Sequence, residues 1–272
     1  MAVVVVLTHR FDRFLREPFL VRSYFPTWEA MGHRVVVHEG SERPPAGDAV
    51  LLHVNRTLTP PAYLEAMSAY PVRINGRATN IAKRCVSENV VDHADGWTGP
   101  VIVKTDANAG GVPERLHAEQ ARRAGVEGFP VPRLISRNRY PVFDSYERVP
   151  ESLRSDPDLV VEKFLPERDP RGYASRHWVF FGDREYCTRI VGPHPVVKGQ
   201  DMVDRTLVEV PPALRAHRAR LGFDFGKFDF VVHDGRPILL DANRTPTSPP
   251  ALGELQRADA ERMARGIAFF LR

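Results

Sequence analysis

Of the 38 basic residues in this 272-residue chain, only Lys83, Lys104, Lys163, Lys198 and Lys227 are lysine. Arginine's planar fork and lysine's compact ammonium are not interchangeable, so a chain that otherwise avoids lysine keeps it where a small point charge must reach a phosphate. Cysteine is scarcer still. Cys85 and Cys187 are far apart and lack clustered Cys/His spacing, which excludes a zinc cluster and leaves two reduced, mostly buried thiols as the reading. No apolar run is long enough for a membrane span. Ala2 to Leu7 stops at the polar Thr8-His9-Arg10 and reads as a buried first strand, so the expected location is the cytoplasm, with no membrane partner. There is no Walker A sequence, dinucleotide fingerprint, internal repeat or low-complexity tract. The net charge of +4 is carried by arginines dispersed among acids, without a basic run. That argues against nucleic acid, and an anionic small-molecule or peptide substrate explains the charge as well; a homodimer is left open. The 43% hydrophobic and 26% charged fractions are those of a folded globular chain.

What is present alternates strand and helix. Val3 to Leu7, an amphipathic stretch from Leu20 to Met31 stopped by Gly32, and Arg34 to His38 form a βαβ unit. Ala49 to Val54, a helix from Pro60-Pro61 to Ala69 and a strand from Val72 to Ile74 complete a small parallel-sheet lobe. In such lobes ligands meet the carboxyl ends of the strands. Those ends carry His9, Arg10, Asn55, Arg56, Arg73 and Asn75, the candidate substrate-binding residues. A second lobe runs from a helix carrying Lys83 through strands Val101 to Lys104 and Leu159 to Glu162, with a helix over Glu114 to Ala124 between them. The last holds strands at Arg176 to Phe181 and Glu185 to Val191, a hairpin around Asp234-Gly235 and a helix from about Leu252 to Leu271. The expected divisions are 1–78, 79–160 and 161–272.

The sharpest chemical signal is the hairpin from Lys227 to Asn243, two apolar strands with acids where core residues are expected. If His233-Asp234-Gly235 is a three-residue loop with Gly235 left-handed, Asp229 shares a face with Asp241 and Asn243, about a diagonal step away. Like charges that close call for a cation between them, and all three groups are hard oxygen ligands suited to Mg²⁺. A two-residue Asp234-Gly235 turn would instead put the two acids on opposite faces. The second signal is the strand ending in Lys104, followed by a small-residue loop through Gly110 and Gly111 whose amides can close over phosphate oxygens. The third is the strand through Val161, Glu162 and Lys163 into Phe164-Leu165-Pro166, whose free backbone groups suit a purine edge, with Asp169 placed for ribose hydroxyls.

In this order the three segments resemble the ATP-grasp superfamily, whose carboxylate-amine ligases include D-alanine ligase, glutathione synthetase and the ribosomal-protein glutamate ligases. The resemblance covers roughly residues 80 to 250. It implies an α/β chain with two α+β lobes sandwiching ATP, preceded by a small Rossmann-like parallel-sheet lobe. By the same resemblance Lys83 and Lys104 are phosphate-binding, Gly110 and Gly111 form the loop over the phosphates, Glu162, Lys163 and Leu165 the adenine hinge, and Asp169 the ribose-binding acid. Asp229, Asp241 and Asn243 become ligands of Mg²⁺ (or Mn²⁺). Lys227 stands where many members place an arginine that steadies the transferring phosphoryl group, and Arg176 and Arg189 resemble triphosphate-facing basic residues; these three are the catalytic candidates. Asp241 departs from the commoner glutamate, and Asn243-Arg244-Thr245-Pro246-Thr247 lacks a glycine often found there. The implied reaction is ATP-dependent joining of a carboxylate, activated as an acyl phosphate, to an amine. A small-molecule kinase and a non-catalytic nucleotide-binding protein remain the alternatives.

Overall fold

The computed structural model describes residues 1–91, 96–136, 139–197, 201–248 and 254–271. Lys198 and the expected helix start at Leu252 lie outside them.

The N-terminal lobe is a four-stranded parallel sheet in the order β2-β1-β3-β4, with β1 at Val3–Thr8, β2 at Arg34–Glu39, β3 at Ala49–His53 and β4 at Val72–Ile74. β3 is buried at every position, as a parallel strand covered on both faces must be, which is why it reads as an unbroken apolar run. Alternation in β1 divides the core. Val4 and Val6 pack with Tyr24 and Trp28 on one face. Val5 and Leu7 pack with Tyr63 and Met67 on the other. The stretch expected as one helix after β1 is a 3₁₀ turn, Leu20–Tyr24, leading into α1, Phe25–Ala30. Helix α2, Pro61–Met67, covers the opposite face.

A short helix α3, Lys83–Val86, leads to a three-stranded antiparallel sheet in the order β6-β5-β7. Its strands are β5 at Val101–Thr105, β6 at Val142–Phe143 and β7 at Leu159–Lys163, with helices α4, Val112–Arg123, and α5, Glu151–Arg154, between them. The division expected at residue 160 falls inside β7, so this sheet runs on to Lys163.

The third sheet has six strands: β8 at Glu167–Asp169, β9 at Gly172–Phe181, β10 at Arg184–Gly192, β11 at Asp204–Val208, β12 at Phe225–His233 and β13 at Arg236–Asn243. Their order is β11-β10-β9-β12-β13, with β8 also paired to β9. One face packs under α6, Pro212–Leu221, around Trp178, Phe180, Phe228 and Phe230. Val179, Phe181 and Phe225, on the other face, join the core of the N-terminal lobe together with Met263 of α7, Glu254–Ala264. Among the described residues no helix is long and apolar enough to cross a membrane.

The β12–β13 hairpin corrects the expected turn. His233 pairs with Arg236, so the loop is the two residues Asp234 and Gly235. Both have positive φ, 49° and 76°, the type I′ geometry that matches strand twist. Taken alone that turn would separate the two acids. The register shifts between Asp229 and Phe230, however: Phe230 faces Leu239 while Asp229 faces Asp241, leaving Leu240 as the extra residue of a β-bulge. The acids are therefore direct cross-strand partners, closer than the diagonal step expected.

Candidate active site

A cavity of about 510 Å³ opens between the small sheet and the large one. All four described lysines line it: Lys83 from α3, Lys104 from β5, Lys163 at the end of β7 and Lys227 from β12. Gly110, Leu165, Asp229 and Asp241 line it as well. At one end Lys227 Nζ lies 3.0 Å from Asp229 Oδ1, and Lys83 Nζ lies 3.6 Å from Asp241 Oδ1 while donating to the Ala107 carbonyl at 3.0 Å. Asp241 Oδ1 is buried and accepts no hydrogen bond among the described residues. Burial pushes its carboxyl above the ordinary pKa; Lys83 opposes that and Asp229 adds to it. Two juxtaposed carboxylates with a spare buried oxygen fit a divalent cation shared with phosphates. Asn243 lies on the same face, opposite Lys227. Its Oδ1 accepts the Thr245 amide at 2.8 Å, and it is not among the residues lining the cavity.

The loop after β5 is left-handed at Ala109, Gly110 and Gly111, with φ of 50°, 69° and 76°. Gly110 reaches the cavity. Gly111 instead caps α4, where a Cβ would sit 2.6 Å from Leu134 Cδ2, so its glycine is set by packing. At the opposite end, Asn89 donates to the Lys163 carbonyl at 3.0 Å and accepts the Lys163 amide, holding the start of the Lys163–Pro166 linker. Glu162 differs from its expected hinge role: its side chain is fully buried and accepts from Lys104 Nζ at 2.5 Å.

Two residues that sequence reasoning missed belong to this site. Asn89 gives no signal in the chain. His177 does, since it pairs with Asp229 across β9 and β12, and its Nε2 lies 3.7 Å from Asp229 Oδ1. Burial lowers its pKa; the Asp229 carboxylate opposes this shift and the Lys227 ammonium adds to it.

The remaining candidates go elsewhere. Arg176 and Arg189 are cross-strand partners. Arg176 faces Phe230, one residue off the face that carries His177. Both point away from the cavity and bond Glu167, with Arg176 Nη2 at 2.9 Å and Arg189 Nε at 3.0 Å. Asp169 is drawn into the same cluster, accepting from Arg189 Nη1 at 2.9 Å and from the Arg171 amide at 3.0 Å. Its oxygens are committed there, not to a ribose. Burial alone would raise the Glu167 pKa, but bonds from Arg176, the Val232 amide and Arg189 outweigh it and hold the carboxyl below its usual value. Glu167→Gln is accordingly expected to cost about 2–3 kcal/mol at neutral pH. A group with a depressed folded pKa stabilises above its unfolded pKa and loses that contribution as pH falls through the folded one. Urea midpoints of variant and wild type should therefore converge in acid.

None of the six residues at the N-terminal strand ends lines the cavity. Asn75, fully buried with φ 62°, braces β12: its Oδ1 accepts the Asp224 and Phe225 amides, and its Nδ2 donates to the Phe225 carbonyl. Arg73 lines a separate cleft beside Asp224. Arg10 is exposed, its guanidinium 4.9 Å from the Phe11 ring, and Arg56 lies 5.4 Å from the Phe129 ring. The carbonyls of Val54, Arg56 and Ala78 accept the buried Arg244 guanidinium, which closes those strand ends. Asn55 Oδ1 accepts the Thr245 hydroxyl at 2.9 Å.

His9 is buried and stacks on His117 at 4.2 Å and 12°, while Asp12 Oδ1 meets His117 Nε2 at 2.6 Å. Burial and then His117 lower the His9 pKa to about 3. The ligand atoms of these three residues lie within 4.8 Å of one another. An ion must lie in the plane of each ligating ring, however, and two nearly parallel stacked rings share no such point, so this is a junction between the N-terminal lobe and α4.

This arrangement of sheets defines the ATP-grasp fold. No family model matches the sequence, and no curated protein matches it either. Solved structures do. D-alanine–D-alanine ligase from Bacillus anthracis, complexed with ATP, is 13% identical, with a TM-score of 0.58 over 100% of this chain and 96% of that one. A RimK domain ATP-grasp protein from Sphaerobacter thermophilus is 15% identical, with a TM-score of 0.53 over 99% and 100%. The ATP-grasp ligase PsnB, complexed with a minimal precursor, Mg and ADP, is 14% identical, with a TM-score of 0.54 over 98% and 97%.

Proposed function

We propose that the chain is an ATP-dependent ligase that activates a carboxylate as an acyl phosphate and passes the acyl group to an amine. The observation that carries this reading is the pairing of Asp229 with Asp241 at the end of a cavity lined by all four described lysines. Phosphoryl transfer asks a protein chiefly for positioning and charge neutralisation. Asp229 and Asp241 would hold magnesium, which when bound neutralises phosphate charge. Lys83 and Lys104 would bind phosphate oxygens, and the backbone of Lys163 to Leu165 would meet the adenine edge. Lys227 would face the transferring group. A substrate carboxylate oxygen attacks the γ-phosphorus and the bond to the bridging oxygen breaks, releasing ADP. The amine then attacks the acyl carbon, phosphate leaves and the amine nitrogen loses a proton. Support comes from the fold neighbours, of which one is an ATP complex and another holds Mg and ADP.

The test is incubation with Mg-ATP, pools of carboxylic acids, and hydroxylamine as a general amine. ADP and hydroxamate are expected in equal amounts. ADP formed with alcohols and without hydroxamate would replace the ligase by a kinase.

A further inference from the structure

Thr57, in the loop between β3 and α2, does not line the lysine cavity, yet each of its polar atoms is bonded to a segment that serves it. Its Oγ1 accepts the Asn108 amide at 2.8 Å, immediately before Ala109 and Gly110, which line the cavity. Its own amide donates at 2.8 Å to Oε1 of Glu114, in the first turn of α4 on the far side of that loop. Its carbonyl accepts the Ile81 amide at 3.0 Å, two residues ahead of Lys83. One residue of the N-terminal lobe therefore staples both flanks of the loop after β5 and steadies the approach to α3. The segment that carries Thr57 is fixed in turn from the acid-bearing strand. Arg244, three residues beyond Asp241, is fully buried and donates to the Val54 and Arg56 carbonyls.

The loop after β5 needs such a hold. Ala109 has a φ of 50°, the left-handed region that a residue bearing a Cβ enters at a cost. Asn108 is buried, and neither end of its side-chain amide has a partner among the described residues. Features of this kind persist only where the surroundings over-determine the conformation. The Ala107 carbonyl, which opens the loop, accepts Lys83 Nζ at 3.0 Å. A loop that relaxed would therefore carry both Gly110 and the partner of a cavity lysine out of place.

We propose that Thr57 is a positioning residue for the nucleotide's phosphates. By bonding Asn108 and Glu114 it holds Ala109 and Gly110 against the cavity in the unliganded protein, so that the phosphate-binding surface is formed before the nucleotide arrives and the cost of ordering it is not charged to binding. This assignment rests on the reading of the lysine cavity as a nucleotide site, and is independent of the ligase chemistry that follows. It gives the loop after β3 a part in the site, as a support for the phosphate loop and not as a contact for the acid.

The experiment is calorimetric titration of wild type, Thr57→Val and Thr57→Ser with Mg-ATP and with adenosine. Valine keeps the shape of threonine and removes the acceptor, whereas serine keeps the acceptor. Thr57→Val is expected to bind Mg-ATP about three- to tenfold more weakly, the value of one neutral hydrogen bond, and adenosine as well as wild type does. Thr57→Ser should restore most of the Mg-ATP affinity. Unchanged Mg-ATP affinity in Thr57→Val, equal loss for both ligands, or a serine variant as weak as the valine one overturns the assignment. Hydrogen exchange on the unliganded wild type tests it without any substitution: the Asn108 amide should exchange about a hundredfold or more slowly than in an unfolded chain, and rapid exchange there also overturns it. The expected binding pattern without acid-dependent ADP release upholds the role of Thr57 and rejects the ligase. ADP and hydroxamate formed by a protein whose Mg-ATP affinity is indifferent to Thr57→Val does the reverse.

Discussion

Asp241→Asn is expected to lower acid-dependent ADP release about a thousandfold while leaving the unliganded protein as stable as wild type or more so. The activity loss follows from removing one of two cross-strand carboxylates that face each other at the lysine-lined cavity, since the loss of one preorganised charge-stabilising group typically costs about 10²–10³ in rate and metal binding adds to that. The stability effect has the opposite sign. Burial and the neighbouring Asp229 raise the Asp241 pKa, so the ionised carboxylate opposes folding at every pH above its folded pKa. That penalty fades as pH falls to the unfolded value. Asparagine removes it, and Lys83 keeps its bond to the Ala107 carbonyl. Thermal midpoints of the unliganded proteins should favour the variant at neutral pH and converge in acid, whereas the stabilisation given by Mg-ATP should be present only in wild type. A variant with wild-type turnover and an unchanged magnesium requirement would remove the acids from the site.

The second large effect concerns Lys104. Its ammonium is held by the fully buried Glu162, so Lys104→Met by itself strands a buried carboxylate and confuses lost contacts with a damaged sheet. The double variant Lys104→Met/Glu162→Gln avoids this. It should bind Mg-ATP about 10- to 100-fold more weakly, the value of one charge-assisted hydrogen bond, and adenosine as well as before. Calorimetric titration with both ligands reads the difference. Equal loss for both would show that the small sheet, not the phosphate contact, had been altered.

Much of the fold could be read from residue order because its signals are local. The apolar runs of β1 and β3, the strand ending in Lys104 and the acid-bearing hairpin each announce themselves within a few residues. The scarcity of lysine was the most informative compositional fact, since all four described lysines line one cavity. What failed was the assignment of polar side chains to a face. Arg176 alternates with Trp178 and Phe180, both fully buried in the core on the other side of the sheet, and strict alternation would have taken it off the cavity face. Asn75 and a substrate-binding asparagine look alike in sequence. Only the fold brings Asp224 and Phe225 to it.

The bulge at Leu240 turns the carboxylate pair into a matter of parity. Each residue gained or lost in a regular hairpin exchanges the faces of everything beyond it. A two-residue turn with one bulge and a three-residue turn with none therefore solve the same counting problem, and both bring the acids to one side. Length changes in such a hairpin are neutral for the site only in steps that preserve the count, so turn and bulge are free to vary together but not separately. Spacing between the two acids, taken without the bulge, would misplace one of them in any chain built this way.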